Sequence, residues 1–360
     1  MFAQIKQLFS KDIGLDLGTA TTLIYVKGKG IVLRQASAVA LHKSDNFIVA
    51  IGDAALALQG KEPEGVEVIF PIRDGVIHNL EVTCLMLEEF VKKALPDFYG
   101  NPSVVIGLPS GTTYAERESI FQTGHRLGFA ETFLVEEAIA AAVGAGVSIH
   151  RARGSLVMDI GGGTTDLSVI SLAGTVYSYS VRSAGDSMNQ AIVDYIRHEH
   201  AFLIGLQTAA KIKEAIGSAP GHESTTMARF WRITVGGRSL NTGLPGTIEL
   251  SGLDIQCALL PCLRKMVNGL IFTMSSIPPE VSADIQRDGV ILTGGGALLR
   301  YLAEYLSQRS GLKVKLAKEP AQCVIYGLRT FVDELHVLRQ QRPQESHTYV
   351  PLQLTKAKAA

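Results

Sequence analysis

Ile13-Gly-Leu-Asp-Leu-Gly-Thr-Ala-Thr-Thr-Leu-Ile-Tyr-Val26 returns later in the chain as Leu156-Val-Met-Asp-Ile-Gly-Gly-Gly-Thr-Thr-Asp-Leu-Ser-Val169. In this alignment Asp16 falls on Asp159, Gly18 on Gly161, and Thr21 and Thr22 on Thr164 and Thr165. Each copy reads as an apolar strand ending in an aspartate, a glycine and threonine turn, and a second strand, which is a hairpin. A repeat this far apart in one chain predicts two related lobes.

The turn residues carry the chemistry. Glycine lets a backbone approach a ligand closely, and successive N–H groups with threonine hydroxyls make an anion site suited to phosphates. One such hairpin is no more than a tight turn; two, each with a carboxylate beside its turn, point to a nucleoside triphosphate. Asp16 and Asp159 are then placed to hold Mg²⁺ through its waters, since Mg²⁺ keeps several waters while bound to one or two carboxylates and phosphate oxygens. A third glycine cluster, Gly294-Gly295-Gly296, follows the apolar run 289–293 and precedes Ala297, and is expected to open a helix over 297–307 that takes the base or its α-phosphate. The G-x-G-x-x-G spacing and the Walker Lys-Ser/Thr are both missing, which speaks against Rossmann and P-loop folds.

Around these segments strand and helix patterns alternate, which predicts an α/β fold with helices covering sheets. Strands are expected over 13–26, 103–107, 155–170 and 289–293, and helices over 83–94, 113–127, 136–145, 186–198 and 208–216. The chain of 360 residues is long enough for two domains. Gly, Arg and Ser around residues 146–155 mark the expected crossing between lobes, and 339–360, rich in Gln, Pro, Ser and Lys, reads as a mobile tail.

Lysine plus arginine and aspartate plus glutamate both number 34, so no overall field draws in nucleic acid, and phosphate recognition is local. Cys84, Cys257, Cys262 and Cys323 show no C-x-x-C spacing and read as buried, reduced thiols of a cytoplasmic protein. No apolar run is expected to reach the roughly 18 to 20 residues that span a bilayer, so the protein reads as soluble or peripheral. Met1, Phe2, Ile5, Leu8 and Phe9 recur at helical spacing over residues 1–10, an amphipathic segment suited either to its own domain or to an anionic membrane surface. Phe98 and Tyr99 sit in a loop with the same two readings.

The two hairpins with the later Thr-Gly-Gly-Gly loop resemble the actin superfamily, which includes sugar kinases and heat-shock chaperone ATPases. Within it the chain is most similar to the MreB family of bacterial actins over about residues 1–335. The carrying segments are 13–32 (IGLDLGTATTLIYVKGKGIV), 74–77 (DGVI), 104–110 (VVIGLPS), 133–146 (FLVEEAIAAAVGAG), 158–171 (MDIGGGTTDLSVIS), 182–188 (RSAGDSM), 243–249 (GLPGTIE) and 289–300 (GVILTGGGALLR). The resemblance implies an actin-like fold of two lobes and four subdomains around a nucleotide cleft: lobe I over 11–148 with a small subdomain near 35–72, lobe II over 149–318 with a small subdomain near 182–245, and a C-terminal helix over 319–338 returning to lobe I. It implies ATP and ADP as ligands with Mg²⁺, slow hydrolysis coupled to filament assembly, and self-association as homopolymers. Attachment to the inner face of the plasma membrane and membrane proteins of the cell-wall elongation machinery as partners also follow from it. By the same resemblance Thr19, Ala20 and Thr21 with Gly161, Gly162, Gly163 and Thr164 are the phosphate loops, and Gly294 to Gly296 with Ala297, Gly185 and Lys213 the adenosine side. Glu137 orients the hydrolytic water; read without the family, it is a helix-start acid favoured by the dipole.

Three positions depart from the family pattern. Ala210 stands where an acid is expected to contact the ribose, Asn189 where G-D-x-x-D is usual, and Ala138 where proline follows the paired acids. These leave open a slow or specialised paralogue. A small-molecule kinase of the same fold is a further alternative, although no acceptor-pocket signature is present.

Overall fold

The computed structural model of the chain describes residues 11–96, 102–109 and 112–340. The expectations for residues 1–10, for Phe98 and Tyr99, and for the tail beyond 340 lie outside the described residues. By contact density the chain divides into two compact units, one of Met1–Val157, Ser168–Ser178 and Gln322–Ala360, the other of Met158–Leu167 and Tyr179–Ala321.

The main sheet of the first unit is built outward from the hairpin Ile13–Leu17 and Thr21–Val26, whose antiparallel register sets Asp16 opposite Leu23. Gly30–Ala36 extends the hairpin side, while Ser103–Leu108 and then Glu131–Glu136 join in parallel on the other side of Ile13–Leu17. The near-continuous apolar run of Ser103–Leu108, buried at every position, is what a parallel strand covered on both faces requires. Val39–His42 pairs with Ile48–Ile51 and Val66–Ile69 in a separate small sheet. The helix Leu80–Ala94, capped by the Asn79 side chain, buries Met86, Leu87 and Phe90 in the core of this unit. The helices Glu137–Gly144 and Cys323–Asp333 meet with backbone nearly in contact. A Cβ on Gly144 would lie 1.9 Å from the Cys323 carbonyl oxygen, and one on Gly327 1.9 Å from that of Ala140.

The second five-stranded sheet repeats that order: Gly174–Val181, Thr165–Ser171, Ser155–Ile160, Val290–Thr293, Val314–Leu316. Again a hairpin carries its third strand outside, and two later strands join the far side of the first. A three-stranded sheet of Phe202–Leu203, Arg232–Ser239 and Pro245–Ser251 lies within the second unit.

Three sequence expectations are corrected. The helix expected over 297–307 is broken: Gly295–Leu298 makes a single 3₁₀ turn, Tyr301 takes a left-handed φ of 59°, and the α-helix runs Leu302–Ser310. The cause is a competing pairing, because Arg300 bridges to Ser218 and its carbonyl accepts from the Ala219 N–H at 2.8 Å. Cys257 is exposed, while the other three cysteines are buried; all four are free thiols. Finally, Gly252–Ser276 is long and apolar enough to cross a membrane by length and mean composition, although Arg264 and Lys265 interrupt its apolar run. Its buried residues, from Ile255 through Leu259, Leu263, Met266 and Leu270 to Thr273, recur at helical spacing, the pattern of a core helix packed along one face.

Candidate functional site

In the second unit the hairpin turn after Asp159 is closed by the Gly161 N–H donating to the Thr164 carbonyl at 2.9 Å. The helix Gly185–Glu199 docks end-on against it. The first N–H groups of a helix have no partner inside the helix. Here those of Gly185 and Asp186 donate to the carbonyls of Gly161 (3.1 Å) and Gly162 (2.8 Å). The approach is close enough that a Cβ on Gly185 would meet the Gly161 oxygen at 3.3 Å. Thr165 anchors the same junction from below, its buried hydroxyl donating to the Ser183 carbonyl at 2.7 Å.

Gly294 brings the third glycine cluster to this turn. Its φ is +84°, and a Cβ there would fall 2.3 Å from the Ile160 oxygen and 2.4 Å from Asp159 Oδ1; one on Gly296 would fall 2.4 Å from Ile160 Cγ2. Gly295 has no atom within 4 Å of its would-be Cβ, so it borders open space, whereas Ala297 is buried. The close approach lets Thr293 Oγ1 donate to Asp159 Oδ1 at 3.1 Å. Lys213, on the helix Leu206–Ile216, donates from Nζ to the Gly185 carbonyl at 2.9 Å. Burial lowers its pKa, opposed by the negative charges of Asp186 and Glu214. Ala210 lies about one turn earlier on that helix. Asp159, Gly161, Gly162, Gly185, Lys213, Gly294 and Gly296 thus form one chain of direct contacts.

Two carboxylates face each other here. Asp159, partly buried, has its pKa pushed up to about 6, first by burial and then by the charge of Asp166, with the Thr293 hydroxyl working against both. Burial also raises Asp166, whose carboxylate accepts the Thr164 hydroxyl at 2.8 Å and is further relieved by Ser180. Sequence reasoning named neither Asp166 nor Thr293. The signal was in the repeat, where Asp166 aligns with Leu23, the cross-strand partner of Asp16. An acid replacing a leucine beside another acid is expensive unless a cation or hydrogen bonds offset it.

In the first unit the turn after Asp16 is pinned by Ser37, whose hydroxyl donates to the Gly18 carbonyl at 2.6 Å and whose N–H donates to the Ala20 carbonyl at 3.0 Å. Thr19 Oγ1 accepts from the Gly75 N–H at 3.0 Å, which ties the turn to the Asp74-Gly75 segment, where both residues have positive φ. Ala20 is exposed and Thr21 half-buried. The paired acids separate: Glu136 accepts the Thr175 hydroxyl, while Glu137, opening its helix, lays its Cγ 3.2 Å from where a Cβ on Gly107 would be. Of the departures, Asn189 leaves its Oδ1 buried with no partner among the described residues. No group of three metal-ligating side chains occurs among the described residues.

Two sheets of one strand order, each with an aspartate at the end of its first hairpin strand, define a protein of the actin-like fold. That fold is shared with MamK in its double helical filament, at a TM-score of 0.74 and 20% identity over 89% of this chain and 98% of that one. The chain belongs to the MreB/Mbl protein family, whose profile matches residues 10–340. It is 42% identical over 334 residues to the cell shape-determining protein MreB of Escherichia coli K12, covering 91% of this chain and 94% of that protein. It is 38% identical over 336 residues to Mbl of Bacillus subtilis, covering 93% and 99%. MreB5 of Spiroplasma citri bound to ADP superimposes at a TM-score of 0.87 with 34% identity, over 93% of this chain and 99% of that one.

Proposed function

We propose that this chain is an ATP-dependent filament protein that polymerises on the inner face of the plasma membrane and directs cell-wall synthesis and cell shape. The observation that carries it is the contact chain from Asp159 through Gly161 and Gly162 to Gly185 and Gly294, together with the matching hairpin at Asp16. Support comes from MreB5 of Spiroplasma citri, a relative at 33 to 34% identity whose structures hold ADP and AMPPNP.

In this reading Thr19, Ala20, Thr21, Gly161, Gly162, Gly163 and Thr164 bind phosphate oxygens. Gly185, Lys213, Gly294 to Gly296 and Ala297 line the adenosine side. Glu137 orients the water that attacks the γ-phosphoryl group in line, a reaction that depends on positioning and charge neutralisation. The donor set fits Mg²⁺ entering with the triphosphate: carboxylate oxygens are the hard donors that bind an ion which keeps most of its waters. Asp16 and Asp159 would hold it through those waters, where it supplies neutralising charge to the phosphates. Subunits stack through a heterologous, non-closing contact, which generates open filaments. The segment 1–10 and the Phe98–Tyr99 loop supply membrane contact. Itself, the anionic bilayer and membrane proteins of the elongation machinery are the partners.

Pelleting and electron microscopy with ATP and magnesium test the reading. Filaments that need the nucleotide are expected; a chain that stays monomeric and phosphorylates a small molecule instead would overturn it. Ala210 leaves the ribose hydroxyls without a carboxylate, so Ala210→Glu is expected to tighten ATP binding about fivefold or more by calorimetric titration. Unchanged affinity would remove Ala210 from the site.

A further inference from the structure

We propose that the turn between the helix His222–Ala228 and the strand Arg232–Ser239 is a second contact with an anionic bilayer, independent of the N-terminal segment. Phe230 is 76% exposed and Met227 43%. Neither residue is loosely held. The Phe230 N–H donates to the Met227 carbonyl at 3.0 Å, and Arg232 folds back to donate from Nη1 to the carbonyls of Arg229 (2.6 Å) and Trp231 (2.9 Å). On the inner side Arg300 lies over the Trp231 ring at 5.5 Å and donates to the Gly217 carbonyl at 3.2 Å. The turn is braced so that its phenyl ring points away from the fold.

Charge specifies the occupant. Residues 227–232 hold Arg229 and Arg232 and no acid, in a chain with equal numbers of basic and acidic residues. Glu249 approaches Arg232 at 3.7 Å, and Glu223 sits on the preceding helix, but Arg229 is exposed and has no acidic partner among the described residues. An aromatic ring and a thioether beside an exposed arginine is the composition of a shallow bilayer insertion, with the Phe230 ring in the headgroup region and the Arg229 guanidinium on a lipid phosphate. A protein partner fits less well. One exposed phenylalanine on a tight turn is far short of the roughly 800 Å² per side that a specific protein interface buries, whereas a bilayer needs no complementary pocket.

Trp231 is the chain's one tryptophan and adjoins Phe230, so its emission reports on this turn alone. The full-length protein is mixed with phosphatidylglycerol–phosphatidylethanolamine vesicles whose acyl chains carry bromine, with phosphatidylcholine vesicles as the control. Blue-shifted and quenched emission with the anionic vesicles only, weakened by salt, is expected. Phe230→Ser should lower the partition coefficient of the turn about tenfold and Arg229→Gln about fivefold, with circular dichroism confirming that both variants fold. Vesicle co-sedimentation without quenching overturns this proposal and leaves the membrane reading of the proposed function standing. No co-sedimentation overturns both. A blue shift on adding ATP and magnesium without vesicles shows that the turn is buried against another copy, and also overturns it.

Discussion

Asp159 is held at a cost, and its surroundings show where that cost falls. In the unfolded chain its carboxyl keeps the ordinary pKa of 3.8, and in the folded protein burial and the charge of Asp166 push it up to about 6. Between those values the folded state holds the proton more tightly, so stability falls as pH rises through that window, and the whole penalty is in force above it. Asp159→Asn is therefore expected to raise the melting temperature of the ligand-free protein at pH 7 and to flatten the decline between about pH 4 and pH 6. Parallel curves for the two proteins would show that the carboxylate is not strained. A second contrast lies within three adjacent glycines. Gly294→Ala combines a positive φ with a backbone collision against Ile160 and should cost about 2 kcal/mol or more in chemical unfolding. Gly295→Ala meets nothing and should cost less than about 1 kcal/mol. The sequence displays three equal letters; the difference comes from the neighbour that each one faces.

Single contacts decide how the helices sit. Helices Glu137–Gly144 and Cys323–Asp333 pack through Gly144 and Gly327 with no space for a methyl group, so Gly327→Ala is expected to cost about 3 kcal/mol by denaturant titration. An unchanged midpoint would mean that the helices part without loss. The 25-residue helix Gly252–Ser276 starts at a capping box in which the Ser251 hydroxyl and the Asp254 carboxylate satisfy each other's backbone N–H groups. Ser251→Ala should therefore destabilise by about 1 kcal/mol in the same measurement. Most elements were legible as periodicity, among them the hairpins, the buried strand Ser103–Leu108 and the helix Leu206–Ile216. The break before Leu302–Ser310 was not, because it is imposed by pairing between Arg300 and Ser218, which lie far apart in the chain. Nor was Asp166 recognised, since its meaning depends on the cross-strand position opposite Asp159.

For the whole molecule, nucleotide binding and stability are linked. A ligand that binds only the folded state adds about 2.7 kcal/mol at a free concentration about a hundred times its Kd. ATP with magnesium is therefore expected to raise the melting temperature in calorimetry, and Asp16→Ala to reduce that shift; no shift at saturating nucleotide would count against the proposed site. By itself the sequence determined that two homologous hairpins exist, that each carries an aspartate beside a glycine turn, and that the chain belongs among the actin-like proteins. Those features are local: strand periodicity, turn chemistry and the spacing of a repeat survive in one dimension. Tertiary structure alone decided that Gly294 must be glycine because Asp159 and Ile160 lie against it, and that the hydroxyl on Asp159 belongs to Thr293. It also decided that Asp166 shares the site and that Phe230 is held outward on a braced turn. Each of these depends on distances between residues remote in sequence, set by how the strands and helices pack rather than by neighbours along the chain.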